Sequence, residues 1–395
     1  MWPESLLRRG AEAVFEACRR GGVTDVFLLT KGLAGKTAFL SRTAPAMEPG
    51  RDLLREALDA AHERGIRLHA WFTSASDEHY KAAHPESGLY HYVNGRDRGI
   101  VSISDPAYTA YMRGVMRELA RGYVVDGVHL DYIRYNHLAY GWSDADRARY
   151  AARGVNVARV TGLLERTFYG DNPDRDYIFN CYRQGDPDAL ALAEARRADV
   201  TAFATALVDT VRAEKPALAV SFALMPEGAY DDLAFAALHY GQSYADLSRL
   251  ANFMLPMAYS VAYQRDAAWV RSVAEGTARF GARTLVGLHA YEGATAETLA
   301  EDIAAAKSAA GASGVCLFRE GAFVWAFTAG REATLTNPLA GPVTRVLFSA
   351  PGAQADMPVD IPQDGQQTVS LPFAPASVRA FCGEREVCVY TVGEK

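Results

Sequence analysis

His129 and Asp131 stand two residues apart in the stretch Asp126-Gly-Val-His-Leu-Asp-Tyr-Ile-Arg-Tyr135, with Arg134 just beyond them. The stretch reads as a buried strand. Residues two apart share one face of a strand, so the imidazole and the carboxylate point the same way. Val128, Leu130 and Tyr132 then form an apolar rear face. Such a front is a costly way to build a merely structural strand. It suits the inner wall of a β/α barrel, whose chemistry sits at the carbonyl ends of its strands. The same criterion collects Lys31, His69, Trp71, Glu227, Tyr259, His289, Glu292 and Glu320 from other apolar runs. Paired carboxylates that flank a bond, with aromatic rings that stack on sugars, are the equipment of glycoside cleavage.

Each of these residues also has a bland reading. Asp131 could merely pair with Arg134 or His129, and His69 and His129 could be core histidines satisfied by the backbone. Lys31 could belong to a solvated turn, Glu292 could be a loop charge, and Glu320 could be a salt-bridge partner. Trp71 could cap the core rather than carry a sugar. Other chemistries have less support. There is no HExxH and no early HxH for a metal hydrolase, and no GxSxG elbow for a serine nucleophile. No metal or other cofactor is therefore expected.

The elements that must position these groups alternate through about the first 330 residues. A helix is expected over 5–20, ending at Gly21-Gly22, and a strand over 26–29. Asp52 caps a helix, and a strand follows over 66–73. A long loop is expected over 74–104. Asp105-Pro106 opens a helix, with an acidic cap followed by proline at the first helical position. The His129–Asp131 strand comes next, then a polar region over 136–195 with one or two helices. Residues 196–214 read as a helix. Further strands are expected over 218–224, 252–259, 284–291 and 314–318, with helices at about 267–280 and 295–310. Strands followed by helices imply a parallel sheet. No GxGxxG or GxxxxGK[ST] follows any strand, which disfavours the open nucleotide-binding folds. The chain opens with a helix, so the first barrel strand is expected to be absent, with Met1-Trp2 its candidate remnant. Beyond about residue 335, Asn-Pro, Gly-Pro and Pro-Gly pairs punctuate short β-prone pieces. The expected division is a β/α barrel over 1–335 and a small antiparallel β domain over 336–395.

Composition narrows the classes further. The 395 residues carry a net charge of −6, so no basic nucleic-acid surface is indicated. No apolar run is long enough for a transmembrane helix. Five cysteines without a CxxC indicate neither a zinc ribbon nor a disulfide framework. An Arg-containing amphipathic helix, not an apolar signal core, follows Met1. An extracytoplasmic location is expected only if the natural N-terminus is longer.

The 126–135 stretch closely resembles the D-G-[IV]-H-L-D-Y-I-R-Y signature of the glycoside-hydrolase-like family ten proteins, bacterial barrels distantly related to glycoside hydrolases. Gly22–Leu29, Ala60–Phe72, Leu255–Tyr259, Gly287–Tyr291 and Gly314–Phe318 resemble that family's second, third, sixth, seventh and eighth strands. The resemblance implies a (β/α)8 barrel acting on a polysaccharide or glycan. It does not supply a substrate or the second carboxylate. Asp131 is the expected first catalytic carboxylate, with Glu227, Glu292 or Glu320 as its partner. Glu227 follows the fifth strand, where amylase-type barrels keep their acid. Glu292 follows the seventh, where many retaining barrels keep their nucleophile, and it is weakly preferred. Lys31, His69, Trp71, His129, Arg134, Tyr259 and His289 are the expected substrate-binding groups. The alternatives are a glycan-binding barrel without catalysis and, further off, a metal-dependent hydrolase.

Overall fold

The computed structural model describes residues 1–394, the side chain of Arg98 excepted. Seven parallel strands run in chain order round one sheet. They are β1 (Asp25–Lys31), β2 (Arg67–Thr73), β5 (Gly127–Asp131), β6 (Ala219–Leu224), β7 (Phe253–Ala258), β8 (Arg283–His289) and β9 (Ala312–Phe318). Phe27, Trp71, Leu255, Cys316 and Phe318 pack together, although they come from β1, β2, β7 and β9. Strands that far apart in the sheet can share a cluster only if the sheet curls round it. The fold is the expected β/α barrel.

Met1 pairs with the free edge of β1. Its amine donates to the carbonyl of Phe27 at 2.8 Å, and Leu29 N–H donates to the carbonyl of Met1 at 3.0 Å. One residue thus bonds to the two neighbours of Leu28, which is the parallel-ladder pattern. Met1 lies beside β1 where the first strand of an eight-strand barrel would run.

Local signals explain most of the remaining elements. Asp105 accepts hydrogen bonds from the backbone of Ala107 and Tyr108, and Pro106 opens the Pro106–Gly122 helix. That helix buries Tyr108, Met112, Val115, Met116 and Leu119 against the sheet. The helix expected over 5–20 is instead two, Pro3–Arg9 and Ala11–Arg20, broken at Gly10 with φ of +78°. The expected loop over 74–104 contains a helix, Glu78–Ala83, and a hairpin of β3 (Gly88–His91) with β4 (Gly95–Val101). Region 136–195 holds three short helices and the start of a 28-residue helix, Pro187–Glu214. With Leu138, Trp142 and Leu238 they form a second apolar core.

The expected boundary at 335/336 is misplaced. β10 (Val324–Ala329) and β11 (Glu332–Asn337) precede or straddle it, yet both belong to the C-terminal domain. They form one sheet with β14 (Gly365–Ser370) and β17 (Val389–Gly393). The facing sheet contains β12 (Val343–Ala350), β13 (Ala353–Ile361), β15 (Ser377–Cys382) and β16 (Arg385–Val387). No strand was expected at β10, and both its faces are apolar. Val324 and Ala326 face the sandwich core. Phe323, Trp325 and Phe327 pack on the barrel side.

Candidate active site

β5 is buried throughout and delivers Asp131 at its carbonyl end. Gly127 near its start must be glycine, since a Cβ there would lie 2.2 Å from Nδ1 of His69. Directly after Asp131 the backbone turns sharply. Tyr132 has φ of +58°, a conformation costly for a bulky L-residue. The turn lets Tyr132 N–H donate to Oδ1 of Asp131 at 2.7 Å. Arg134 donates to the same oxygen at 3.3 Å, and its guanidinium lies 4.6 Å over the Tyr132 ring. Trp71 on the neighbouring strand donates its indole N–H to Oδ2 at 3.2 Å. Asp131 is 7% exposed, so these three donors supply most of what water would otherwise give its carboxylate. Tyr259, past the end of β7, stacks on Phe318 at 5.6 Å. Burial, then the nearby Asp131 charge, pushes its phenol well above the ordinary tyrosine range.

Glu227 approaches the same place from β6. The strand leads into a tight 3-10 turn, Pro226–Ala229, which is entirely buried. The Tyr263 hydroxyl lies 3.3 and 3.4 Å from the two Glu227 oxygens. Tyr240 and the charge of Arg134 also face this carboxyl. Burial wins over these stabilising contacts, and the Glu227 pKa is raised. Arg134 therefore influences two carboxyl groups. It bonds Asp131 directly and acts on Glu227 through its charge.

The other expected site residues are placed as follows. Tyr259 and Trp71 join Asp131 at the mouth. His289 forms the adjoining wall, stacked on Tyr291 at 3.7 Å, with Nε2 donating to the Glu292 carbonyl at 2.9 Å. Burial lowers its pKa. The Glu292 side chain is 85% exposed and lies 3.7 Å from Arg385 of the sandwich, so the preferred partner carboxylate turns towards solvent rather than into the barrel. Glu320 is buried in an ion pair with Arg9 at 2.7 Å. That pairing is what a structural carboxylate needs, although Glu320 also lines the cavity that reaches Asp131 and its Oε2 has no hydrogen-bond partner among the described residues.

Lys31 is wholly buried, bonded to Asp77 at 3.0 Å and to the Ser76 carbonyl at 2.9 Å. Burial lowers its pKa, opposed by Asp77. This pair ties the end of β1 to the loop after β2. His69 bonds Asp25 at 2.9 Å and stacks on Phe27 at 4.7 Å. His129 bonds Ser221 at 2.9 Å, and burial drops its pKa to about 3. These two histidines sit below the mouth, in the barrel interior. A cavity of about 430 Å³ runs past His69 and His129 to Trp71, Asp131 and Tyr259. Sequence reasoning missed Tyr240 and Tyr263. Both lie in short turns after strands, where no apolar period marks them. Among the described residues no group of three or more His, Cys, Asp or Glu is placed to hold a metal.

Known proteins were compared with this site and fold. Residues 33–274 match the family described as Glycosyl hydrolase-like 10. No curated protein matches the chain. The glycoside hydrolase domain of PgaB (BpsB) from Bordetella bronchiseptica is similar in structure, with a TM-score of 0.63 at 15% identity. The match covers 79% of this chain and 88% of that one. A β-galactosidase from Bacillus circulans sp. alkalophilus gives a TM-score of 0.58 at 11% identity, over 81% of this chain and 49% of that one. One from Marinomonas ef1 gives 0.56 at 13%, over 81% and 53%. At these identities the structural likeness speaks to the barrel fold alone. The family match spans more than half of the chain and includes the Asp131 strand and Glu227: this chain belongs to the glycosyl hydrolase-like 10 family.

Proposed function

We propose that this protein hydrolyses glycosidic bonds of a carbohydrate, with Asp131 and Glu227 as its carboxylate pair. The observation that carries the reading is the convergence of both groups on Arg134 at the mouth, in unlike surroundings. Two carboxyl groups set apart by environment are the usual basis of acid and base roles. Glu227, raised by burial, holds a proton to higher pH than a free glutamate and is the general acid. When it releases that proton to the glycosidic oxygen, Arg134, Tyr263 and Tyr240 stabilise the carboxylate left behind. Asp131 accepts from the Tyr132 amide, Arg134 and Trp71, which fixes it as an anion-bearing group facing the cavity. It serves either as nucleophile or as base towards water. The Asp131–Glu227 separation selects between them, since retention needs about 5–5.5 Å and inversion about 6.5–9.5 Å. Trp71, Tyr259 and Tyr291 offer ring faces or edges to a sugar.

The test is hydrolysis of a panel of purified polysaccharides and aryl glycosides by wild type, Asp131→Asn and Glu227→Gln, with NMR of the first-formed anomer. Cleavage by wild type that both variants lose supports the pair. A folded wild type that binds polysaccharides of the panel but cleaves none would identify a glycan-binding barrel instead.

A further inference from the structure

The long helix Pro187–Glu214 carries an arginine that neither the family resemblance nor the carboxylate chemistry accounts for. Arg196 is completely buried. Among the described residues no carboxylate pairs with it. Its guanidinium donates instead to three main-chain carbonyls, Tyr140 at 2.8 Å, His137 at 3.1 Å and His239 at 3.0 Å. It also donates to the Tyr150 hydroxyl at 3.4 Å, while its Nε has no partner among the described residues. A buried cation held by neutral dipoles is an expensive arrangement. What it joins explains why it is present.

Two of the carbonyls belong to the segment after β5, which carries Arg134. The third belongs to the turn 236–240, which ends in Tyr240. Arg196 also lies 3.8 Å over the ring of Tyr135, whose hydroxyl donates to Asp199 at 2.7 Å, one helical turn further on. Tyr135 N–H in turn donates to the Tyr240 carbonyl at 3.0 Å. Gly241, with φ of +64°, brings the turn against the helix, and a Cβ there would lie 2.9 Å from the Arg196 carbonyl. The helix therefore grips both loops at one point. The residues next to the grip are Arg134, which bonds Asp131, and Tyr240, which faces Glu227.

We infer that Arg196 is a positioning residue that sets the arrangement of Asp131 and Glu227 by clamping the Arg134 loop to the Tyr240 turn. The inference rests on the Asp131–Glu227 reading, but its consequence can be read without substrate. The groups that face Glu227 are Arg134, Tyr240, Tyr263, Tyr230 and Tyr244, with burial as the largest influence. Loosening the clamp admits water to Glu227. The dominant effect of burial then weakens, and the Glu227 titration moves down towards the ordinary glutamate range.

The experiment is NMR titration of the ¹³C-labelled glutamate carboxyls of the full chain, with Glu227 assigned by its Gln variant. In Arg196→Lys the Glu227 midpoint is expected to fall by about one pH unit, within the span that burial alone can impose. Tyr240→Phe alone removes a bond that lowers the Glu227 midpoint and should raise it; in the Arg196→Lys background that rise should be smaller, because both act through one turn. Arg196→Gln keeps an amide donor and is read in the same way if the lysine variant does not fold. A folded Arg196 variant with lowered Tm and an unmoved Glu227 midpoint overturns the inference. So does failure of both variants to fold, which would make the residue structural only. A shifted midpoint in a protein that cleaves no glycan would remove the hydrolase reading and leave the clamp. Glycan cleavage with an unmoved midpoint would do the reverse.

Discussion

At the floor of the barrel, His69 stacks on Phe27 and bonds Asp25, while His129 bonds Ser221. At the mouth, Arg134 bonds Asp131 and acts by its charge on Glu227. The two regions draw on the same residue types, and His129 and Asp131 even share a face of one strand. Their depths differ. Below the mouth the His69–Asp25 and His129–Ser221 pairs are made within the protein, although both rings also line the cavity. At the carbonyl end Asp131 takes three donors and lines the same cavity. The contrast teaches that a carboxylate or imidazole on the inner face of a barrel strand is evidence for chemistry only at the last residue or beyond.

The sharpest way to break this comparison is to disable the mouth. Asp131→Asn should lower turnover by about 10³-fold or more with the fold retained, measured as kcat on whichever glycan is cleaved, alongside circular dichroism. Glu227→Gln should cost about 10²–10⁴-fold on natural substrates, and much less on aryl glycosides whose leaving group needs no proton. Equal losses on both substrate types would remove Glu227 from the acid role.

Paired carboxylates away from the mouth should behave in the opposite way. Arg9→Met strands the buried Glu320, and urea unfolding should show a loss of about 3–5 kcal/mol. The kcat of the molecules that stay folded should be unchanged. A fall in kcat with unaltered stability would move Glu320 into the site.

The floor histidines predict a pH signature. The pKa of His129 is about 3 in the folded chain, against about 6.5 for a free histidine, so the unfolded chain binds the proton first. Stability must therefore fall as pH drops from about 6.5 towards 3, by up to about 1.4 kcal/mol per unit for this group. Asp25 acts in a lower window. Burial opposes its ionisation, but bonds from His69, Arg67 and Thr24 hold it well below the usual carboxylate range. Its contribution is present above about pH 4 and is lost as pH falls further. His129→Gln should flatten the slope of unfolding free energy between pH 4 and 6, and Asp25→Asn the slope below pH 4. An unchanged slope for His129→Gln would mean that this ring is already charged in the native protein.

The smallest expected effect is at Glu292. With its carboxylate 85% exposed, Glu292→Gln should leave kcat and Tm within about twofold and a degree of wild type, as surface changes do. A large loss of kcat would restore it as the partner of Asp131.

The sequence made the order of barrel strands legible because each is a short apolar run closed by turn residues. The Asp105-Pro106 start of the helix before β5 was equally clear. Alternation along a strand reports which face a residue occupies, but not its height on the barrel axis. That is why His69 and His129 passed for mouth residues and why Lys31 passed for a binding group. Partners distant in sequence decided the rest: Arg9 for Glu320, Asp25 for His69, Asp77 for Lys31. Glu292 was favoured because aromatic neighbours precede it, and nothing local shows that its backbone turns the side chain out towards Arg385. The β10 run fell on the barrel side of the expected boundary because the Pro and Gly punctuation that marks the β domain begins only at Asn337-Pro338.

That shared strand ties together the fates of the two domains. Phe323, Trp325 and Phe327 are lodged on the barrel while Val324 and Ala326, between them, hold the sandwich. No cut near residue 335 can separate the halves without tearing one hydrogen-bonded ribbon and exposing aromatic surface on the other. The sandwich is thus a permanent buttress of the barrel rather than a passenger. Calorimetry of the whole chain should record a single melting event, with no earlier step in which the C-terminal part comes away.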